Sequence, residues 1–222
     1  MTSSLGRVSH AYPPFDLAIR TPLVELCGAT DELLEALVPV IRAGVYDTRA
    51  PLPFDDPMSF YEDSPLREWR WLHAIWAGRS RVDPDDWWRL YFVVRIDGVP
   101  VGMQDLIGVS FRSTRTVATF SWLGRQYQGR GLGREMRAAV LHLAFDGLGS
   151  ERAESVAFHD NHASNRVSQS LGYEPNGTSW ATRKGVAAPM NRYVLTRERW
   201  SSHRRDDIVV SGLEPCLALL GL

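Results

Sequence analysis

The spacing of apolar residues predicts a chain of short strands and amphipathic helices. Apolar, β-prone runs bounded by turn residues predict strands near residues 23–27, 88–96, 99–108, 115–123, 152–158, 173–183 and 190–196. Asp97-Gly98 separates two of these runs and is a strong hairpin signal, because both residue types tolerate a positive φ.

Helical spacing predicts four helices between these strands. The first begins at Thr30 or Asp31 and the second after Ser64-Pro65, while the others cover residues 131–146 and 161–171. The second places its apolar residues Trp69, Leu72, His73 and Trp76 on one side. Residues 44–63 contain three prolines and several acids, which predicts a loop.

The order of these elements predicts the fold class and the domain organisation. Antiparallel strands come first and a strand–helix–strand–helix unit follows, so we expect a mixed α/β (α+β) sheet. Residues 1–14 lack periodicity and are predicted to be a loose arm, and residues 15–205 form one domain. Residues 206–222 are an apolar appendix that needs the domain or a partner subunit to pack on.

Composition narrows the class of protein. With 44% hydrophobic residues, 23% charged residues and a net charge of −1, the 222-residue chain can bury a full core and has no bias towards nucleic acid or an anionic membrane. It has no long apolar run and no secretory pattern, so we expect a cytoplasmic protein. Cys27 and Cys216 fit no metal spacing and are expected to be buried free thiols, and no metal site is predicted.

A glycine-rich turn between the strand ending at Leu123 and the helix of residues 131–146 is the main functional signal. Gly129, Gly131 and Gly133 let the backbone turn tightly at the positive end of a helix, which is a phosphate-binding arrangement. No Lys follows the glycines, so the turn is not a P-loop, and its spacing is not that of a dinucleotide site.

Two motifs resemble the GNAT N-acyltransferase superfamily. Gln128-x-x-Gly131-x-Gly133 resembles its pyrophosphate loop, and Asn161-x-x-Ser164-x-x-Val167-x-x-x-x-Gly172-Tyr173 resembles the segment after its fifth strand. Together with Trp122-Leu123-Gly124 they resemble the RimJ/RimL-like branch. Residues 122–141 also resemble a run in an actinobacterial RimL-like succinyltransferase.

The resemblance implies an acyl-CoA donor held between two splayed central strands. Main-chain groups of Ser121, Trp122 and Leu123 would face the pantetheine arm, and an N–H there, assigned to Leu123, would stabilise the oxyanion. The pyrophosphate would be held by Gln128, Gly129, Arg130, Gly131, Leu132, Gly133 and Arg134. Asn161 would bond the arm, Ser164 would protonate the leaving thiolate, and Asn165 and Arg166 would reach the adenosine 3′-phosphate. An Asn at position 161 is equally suited to capping a helix.

The general base is open, because residues 116–121 carry no carboxylate. Asp105 on the preceding strand is one candidate, and Asp160 or His159 is another. The missing carboxylate leaves an alternative, which is a non-catalytic acyl-CoA sensor.

The acyl group is acetyl or succinyl, and Arg112, Arg115 and Arg125 are candidate partners for a succinyl carboxylate. Aromatic residues ringed by acids between positions 44 and 90 predict a cationic amine acceptor, either a protein N-terminus or a small molecule. Relatives in the branch often pair, so we expect a homo-oligomer, with a dimer favoured.

Overall fold

The structure, a computed structural model, describes residues 10–222 and is built on one mixed sheet of nine strands. The strands are β1 (Ala18–Arg20), β2 (Glu25–Gly28), β3 (Trp87–Ile96), β4 (Val99–Val109), β5 (Thr116–Leu123), β6 (Arg152–Phe158), β7 (Glu174–Arg183), β8 (Val186–Thr196) and β9 (Val209–Ser211). Their order across the sheet is β7-β8-β6-β5-β4-β3-β2-β1-β9. The β5–β6 pair is parallel, and the neighbouring β4–β5 and β6–β8 pairs are antiparallel.

Helices cover both faces of this sheet. They are α1 (Asp31–Ala43), α2 (Leu66–Arg79), α3 (Phe111–Thr114), α4 (Leu132–His142), α5 (His162–Ser170), α6 (Arg197–Ser201) and α7 (Glu214–Leu219). Apolar residues of α1 and α2 share a core with Tyr91 and Val93 of β3, whereas those of α4 share one with Leu90 and Phe92. Because side chains alternate along a strand, α1 and α2 lie on one face and α4 on the other.

The predicted fold class, a mixed α/β sheet, is confirmed. The β3–β4 hairpin turns at Asp97 and Gly98, whose φ angles are +47° and +82°. The predicted helix of residues 131–146 continues past α4 as a π-helical turn, Leu143–Gly147. β1 and α3, with three and four residues, were not predicted because such short segments carry no periodicity.

The side of α2 that carries Trp69, Leu72, His73 and Trp76 faces outwards instead of covering the core. Trp69 is 62% exposed and Trp76 49% exposed, while Trp71 and Ile75 are buried. The Trp71 ring packs edge-on against Trp122, at 6.1 Å between ring centroids. Two stripes of similar apolarity compete on this helix, and tertiary contact with the sheet selects the one that the sequence pattern did not favour.

Both ends of the described chain pack on the domain. Residues 1–9 of the predicted arm lie outside the described residues, but Pro13–Phe15 forms a 3-10 turn in which Pro14 is buried, so that end of the arm is not loose. In the appendix, β9 pairs with β1, and Cys216 and Leu220 are fully buried. Both cysteines are free and buried, as predicted. Within residues 10–222, no helix is long and apolar enough to span a membrane.

Candidate cofactor and active site between β5 and β6

A gap opens between the two central parallel strands. β5 and β6 pair only from Thr116 to Ala118 on one side and Arg152 to Glu154 on the other. Beyond these residues β5 remains paired with β4, and β6 remains paired with β8. Residues 119–123 therefore present a strand edge that has no partner on the β6 side, as the splayed arrangement requires.

Hydrogen-bond alternation decides which main-chain groups face this gap. Gly124 N donates to Val101 O at 2.9 Å, so every second residue back along β5 also bonds to β4. The N–H and C=O groups of Trp122 therefore point to β4, and those of Ser121 and Leu123 point into the gap. Trp122 therefore cannot offer its main-chain groups to the pantetheine arm, contrary to the prediction. Its indole is buried against Phe60.

The glycine turn after β5 forms a nest of free N–H groups. Gly129 and Gly131 have φ angles of +75° and +79°, and α4 starts directly after Gly131. The N–H groups of residues 129–133, which include Leu132 and Gly133, have no protein acceptor within the described chain. Since these donors converge with the positive end of the α4 dipole, the turn is suited to bind an anion.

Gln128 supports this turn from below. Its Nε2 donates to Val45 O and to Leu123 O, both at 2.9 Å. The side chain therefore ties the turn to the end of β5. Because Gln128 N donates to Arg125 O at 3.2 Å, this residue has no N–H left for a phosphate, contrary to the prediction.

Unpaired arginines surround the N–H nest. Arg130 and Arg134 at the turn and Arg166 on α5 are exposed, and none of the three has an ion pair with another described residue. A Cβ on Gly133 would lie 3.7 Å from Val167, which shows how closely α5 approaches the start of α4. The mouth of the gap is consequently positive.

Asn161 and Ser164 lie at the start of α5. Asn161 Oδ1 accepts from Ser164 N at 3.2 Å, and Asn161 Nδ2 donates to Pro53 O at 3.3 Å. The capping role that the sequence allowed for Asn161 is therefore present. The half-buried Ser164 hydroxyl has no hydrogen-bond partner among the described residues.

Asn165 has an internal role instead of the predicted cofactor contact. It is 6% exposed, and its Nδ2 donates to Phe158 O and Asn161 O, both at 2.9 Å. Its Oδ1 accepts from Asn191 Nδ2 and Tyr193 Oη, both at 3.0 Å. With donor and acceptor both satisfied inside the chain, Asn165 has no polar atom left for an adenosine phosphate.

Asp105 lies on the α1/α2 face of β4, opposite Phe120 of β5. Its Oδ2 accepts from Arg89 Nη2 at 2.5 Å and Arg89 Nε at 3.0 Å, but its buried Oδ1 has no partner among the described residues. Burial raises the pKa of Asp105 and the Arg89 guanidinium opposes that shift. A buried carboxyl with a raised pKa and a free oxygen has the properties of a general base.

The other base candidates fit less well. Asp160 is held by Arg183, with oxygen–nitrogen distances of 2.9 and 2.6 Å, and this hydrogen bonding lowers the pKa of Asp160. Its lone pairs are directed at the guanidinium, so it is a poor proton acceptor. His159 is exposed at the end of β6.

Most acids of the predicted acceptor wall are engaged within the protein. Asp56 accepts from Lys184 N and Gly185 N, both at 2.9 Å, and Glu62 pairs with Arg70. Of the seven acids predicted to line the wall, Asp55 and Asp63 have no such side-chain partner among the described residues, and the other five have one: Asp56, Glu62, Asp83, Asp85 and Asp86. The aromatic residues therefore stand without the ring of free carboxylates that suggested a cationic acceptor.

Two of the three arginines proposed for a succinyl carboxylate have acidic neighbours, and the third lies at the paired end of β5. Arg112 pairs with Asp85 at 3.0 Å, Arg125 lies 3.6 Å from Asp47, and Arg115 precedes β5 at its paired end. The sequence missed Arg137, a buried arginine of α4 whose Nη1 donates to Ser155 Oγ at 3.1 Å. A charged residue flanked by Met136 and Ala138 in an apolar helix was the available signal.

No three His, Cys, Asp or Glu side chains among residues 10–222 are placed to hold a metal ion.

Solved structures with the same fold include acetyltransferases bound to coenzyme A. Mycobacterium smegmatis RimJ, in complex with CoA-disulfide, superposes with a TM-score of 0.70 at 18% identity, covering 85% of this chain and 95% of that one. RimL, an alpha-N-protein acetyltransferase in complex with coenzyme A, gives 0.61 at 17% identity and covers 79% and 95%. MccE, a microcin C7 self-immunity acetyltransferase in complex with acetyl-CoA and AMP, gives 0.58 at 16% identity and covers 79% and 93%.

The sequence model of the acetyltransferase (GNAT) domain matches residues 53–174, which is more than half of the chain. This range contains the gap, the glycine turn and the start of α5. The chain belongs to the GNAT acetyltransferase family.

Proposed function

We propose that this protein transfers an acyl group from acyl-CoA, acetyl-CoA or succinyl-CoA, to a primary amine by direct transfer in a ternary complex. The main support for this proposal is that the gap between β5 and β6 leads directly to the N–H nest at the start of α4. A thioester in the gap and a pyrophosphate on the nest belong to one molecule, and both sites have free main-chain donors.

The cofactor enters from the α4 end. The main-chain donors of Gly129, Arg130, Gly131, Leu132 and Gly133 bind the pyrophosphate, and Arg130, Arg134 and Arg166 neutralise the phosphates. The pantetheine arm runs back along β5 and meets Leu123 first and Ser121 second. Leu123 therefore pairs with the arm, and the Ser121 N–H, not that of Leu123, lies beside the thioester carbonyl as the oxyanion donor.

The chemistry needs one proton acceptor and one proton donor. The amine nitrogen forms a bond to the thioester carbonyl carbon as the carbon–sulfur bond breaks. Asp105, through its free Oδ1, takes the proton that the amine loses, and Ser164 gives one to the leaving thiolate. Asn161 either caps α5 or exchanges its Pro53 contact for the arm. Proximity supplies much of the rate, because a thioester is already activated.

Two measurements test this function. Calorimetry should show that CoA binds and that ATP does not compete, and thiol release from acetyl-CoA should require an added amine. Mass spectrometry of a thioester that co-purifies with the protein would identify the acyl group. If the protein binds acyl-CoA but releases no thiol with any amine, it is a non-catalytic acyl-CoA sensor. If it binds no CoA, both the enzyme and the sensor hypotheses are wrong.

The acceptor is a protein N-terminus or a small amine, and a panel of both kinds distinguishes them by kcat/KM.

We also propose that the protein is cytoplasmic and dimeric. The exposed side of α2 with Trp69 and Trp76 offers an apolar surface for a second copy, whereas the appendix is used within the chain. Light scattering of the wild type and of Trp69→Lys measures this association.

A further inference from the structure

A buried polar cluster lies at the vertex where β5 and β6 separate. Thr119 is the first residue of β5 beyond the paired segment, and Ser155 is the first of β6. Arg137 Nη1 donates to Ser155 Oγ at 3.1 Å, and the Tyr173 hydroxyl faces both Thr119 and Arg137. The cluster therefore forms the floor of the gap on the α4 side.

The guanidinium of Arg137 has no countercharge in this cluster. Arg137 is 5% exposed, and no Asp or Glu among the described residues forms an ion pair with it. Arg137 Nε, Thr119 Oγ1 and Tyr173 Oη are buried and face one another, but none of them forms a hydrogen bond of ordinary length within the described chain. Arginine is almost never fully buried unless it is paired, so this site has unused capacity for an anion.

We propose that Arg137 binds the terminal carboxylate of a dicarboxylic acyl group, such as succinyl, on the CoA thioester. This inference rests on the proposed function, since it requires the acyl-CoA to lie in the gap. A guanidinium flanked by hydroxyl groups presents several donors to a carboxylate, which has only acceptors.

The length of such an acyl group matches the distance along the strand. From Ser121 to Thr119, β5 rises roughly 7 Å. Three carbon–carbon bonds from the thioester carbonyl to a terminal carboxyl span roughly 4 Å, and a hydrogen bond adds about 2.8 Å. A four-carbon diacid therefore reaches the cluster, whereas an acetyl group stops short of it.

The position of the cluster favours the donor over the acceptor as the source of the anion. Arg137 lies one helical turn below Gly133 on α4, the helix whose start binds the pyrophosphate. Asp105 and the aromatic residues around Phe120 are on the opposite face of the sheet. An acyl chain that extends from the CoA arm therefore leads to Arg137, whereas an acceptor that enters from the α1/α2 face does not reach this residue.

The experiment compares succinyl-CoA with butyryl-CoA, which has the same chain length and no terminal charge. We expect wild-type protein to bind succinyl-CoA at least tenfold more tightly by calorimetry. Arg137→Met should abolish this preference and leave the affinity for CoA unchanged. Arg192→Met, which removes a half-exposed arginine paired with Glu154 on the neighbouring strand, should leave the preference intact.

Each result bears on one proposal. Equal binding of the two thioesters by the wild type overturns the role of Arg137, and that measurement needs no variant to fold. A preference that survives in Arg137→Met also overturns it, as does a variant whose only loss is in kcat/KM for carboxylated amines. If the wild type binds no CoA compound, the proposed function fails instead.

Discussion

Three buried polar side chains around the gap differ in how fully they are satisfied. Asn165 uses its donors and its acceptor inside the chain, whereas Asp105 keeps one oxygen free and Arg137 keeps Nε free. Native proteins bury few unsatisfied polar groups, so those that remain deserve a functional explanation. We therefore assign a structural role to Asn165, and we propose proton transfer for Asp105 and binding of the acyl group for Arg137.

Replacing Asp105 by Asn tests the general base. We expect kcat to fall by about 10²- to 10⁴-fold, which is the usual contribution of a positioned base. Burial raises the pKa of Asp105, so the wild-type rate should rise with pH through an inflection above the ordinary range near 3.9, and Asp105→Asn should lose that inflection.

Asp85→Asn, at an exposed carboxylate paired with Arg112, is the matched control and should keep the wild-type rate and pH profile. The folded chain holds the proton of Asp105 more tightly than the unfolded chain. This group therefore contributes stability at acid pH that is lost as pH rises through its folded pKa. An Asp105→Asn enzyme with an unchanged kcat would exclude the proposed base.

Replacing Asn165 by Ala tests the internal role. The change removes the side-chain donor to the carbonyls of Phe158 and Asn161, which keep one main-chain donor each, and it leaves Asn191 Nδ2 and the Tyr193 hydroxyl without their acceptor. We expect a loss of about 2–4 kcal/mol in the free energy of unfolding. Urea unfolding measures it, with Gln169→Ala on the exposed side of α5 as the control. A fully stable variant with weakened CoA binding would instead support the 3′-phosphate contact.

At the scale of elements, the start of α4 is where backbone conformation produces function. Two glycines with positive φ turn successive N–H groups to one point, and the helix that follows adds its dipole. β5 contributes through what it lacks, since its edge from residue 119 onwards has no strand partner. The site is therefore made mainly of main-chain groups that the fold leaves unpaired.

Gly131→Ala tests whether the conformation of this turn binds CoA. No atom lies within 4 Å of the added Cβ, so the cost is the positive φ of +79°, roughly 1–2 kcal/mol. We expect CoA affinity to fall about tenfold as the N–H groups lose their alignment, a change worth roughly 1.4 kcal/mol.

Gly177→Ala is a close control, because Gly177 has a φ of +84° and equally open surroundings but lies on the outer strand β7. It should lose similar stability in thermal unfolding and keep its CoA affinity by calorimetry. Equal CoA binding by both variants would show that the turn does not need its left-handed conformation.

At the scale of the whole molecule, the C-terminal segment completes the sheet. β9 covers the edge of β1, and Cys216 and Leu220 enter the core that contains α4. Arg205, just before this segment, bonds Glu135 in the first turn of α4 at 2.7 and 3.0 Å. Arg205 and this segment thus support α4 from outside the range that matches the family, residues 53–174.

Leu220→Ala tests this support. Leu220 is fully buried, so its truncation should cost about 2–5 kcal/mol of unfolding free energy. Val209→Ala, at a position 60% exposed, should cost much less in the same chemical denaturation experiment. If both changes were neutral, the appendix would not be part of the cooperative core.

The sequence by itself determined the longer elements and the family. Periodicity placed β3, β4, β5 and β6 within a residue or so of their observed ends, because their apolar runs are long and end at turn residues. The glycine spacing after Leu123 was sufficient to predict a tight turn before α4, because glycine at positive φ is a local requirement.

Only the tertiary structure decided which polar groups remain free. Whether Asn165 faces a cofactor or its own chain depends on Tyr193 and Asn191, which are more than 20 residues away. Packing between strands and helices likewise leaves Arg137 without a countercharge among the described residues and leaves one oxygen of Asp105 without a partner. The sequence shows which hydrogen bonds each residue can donate or accept, but the fold determines which partner each group meets.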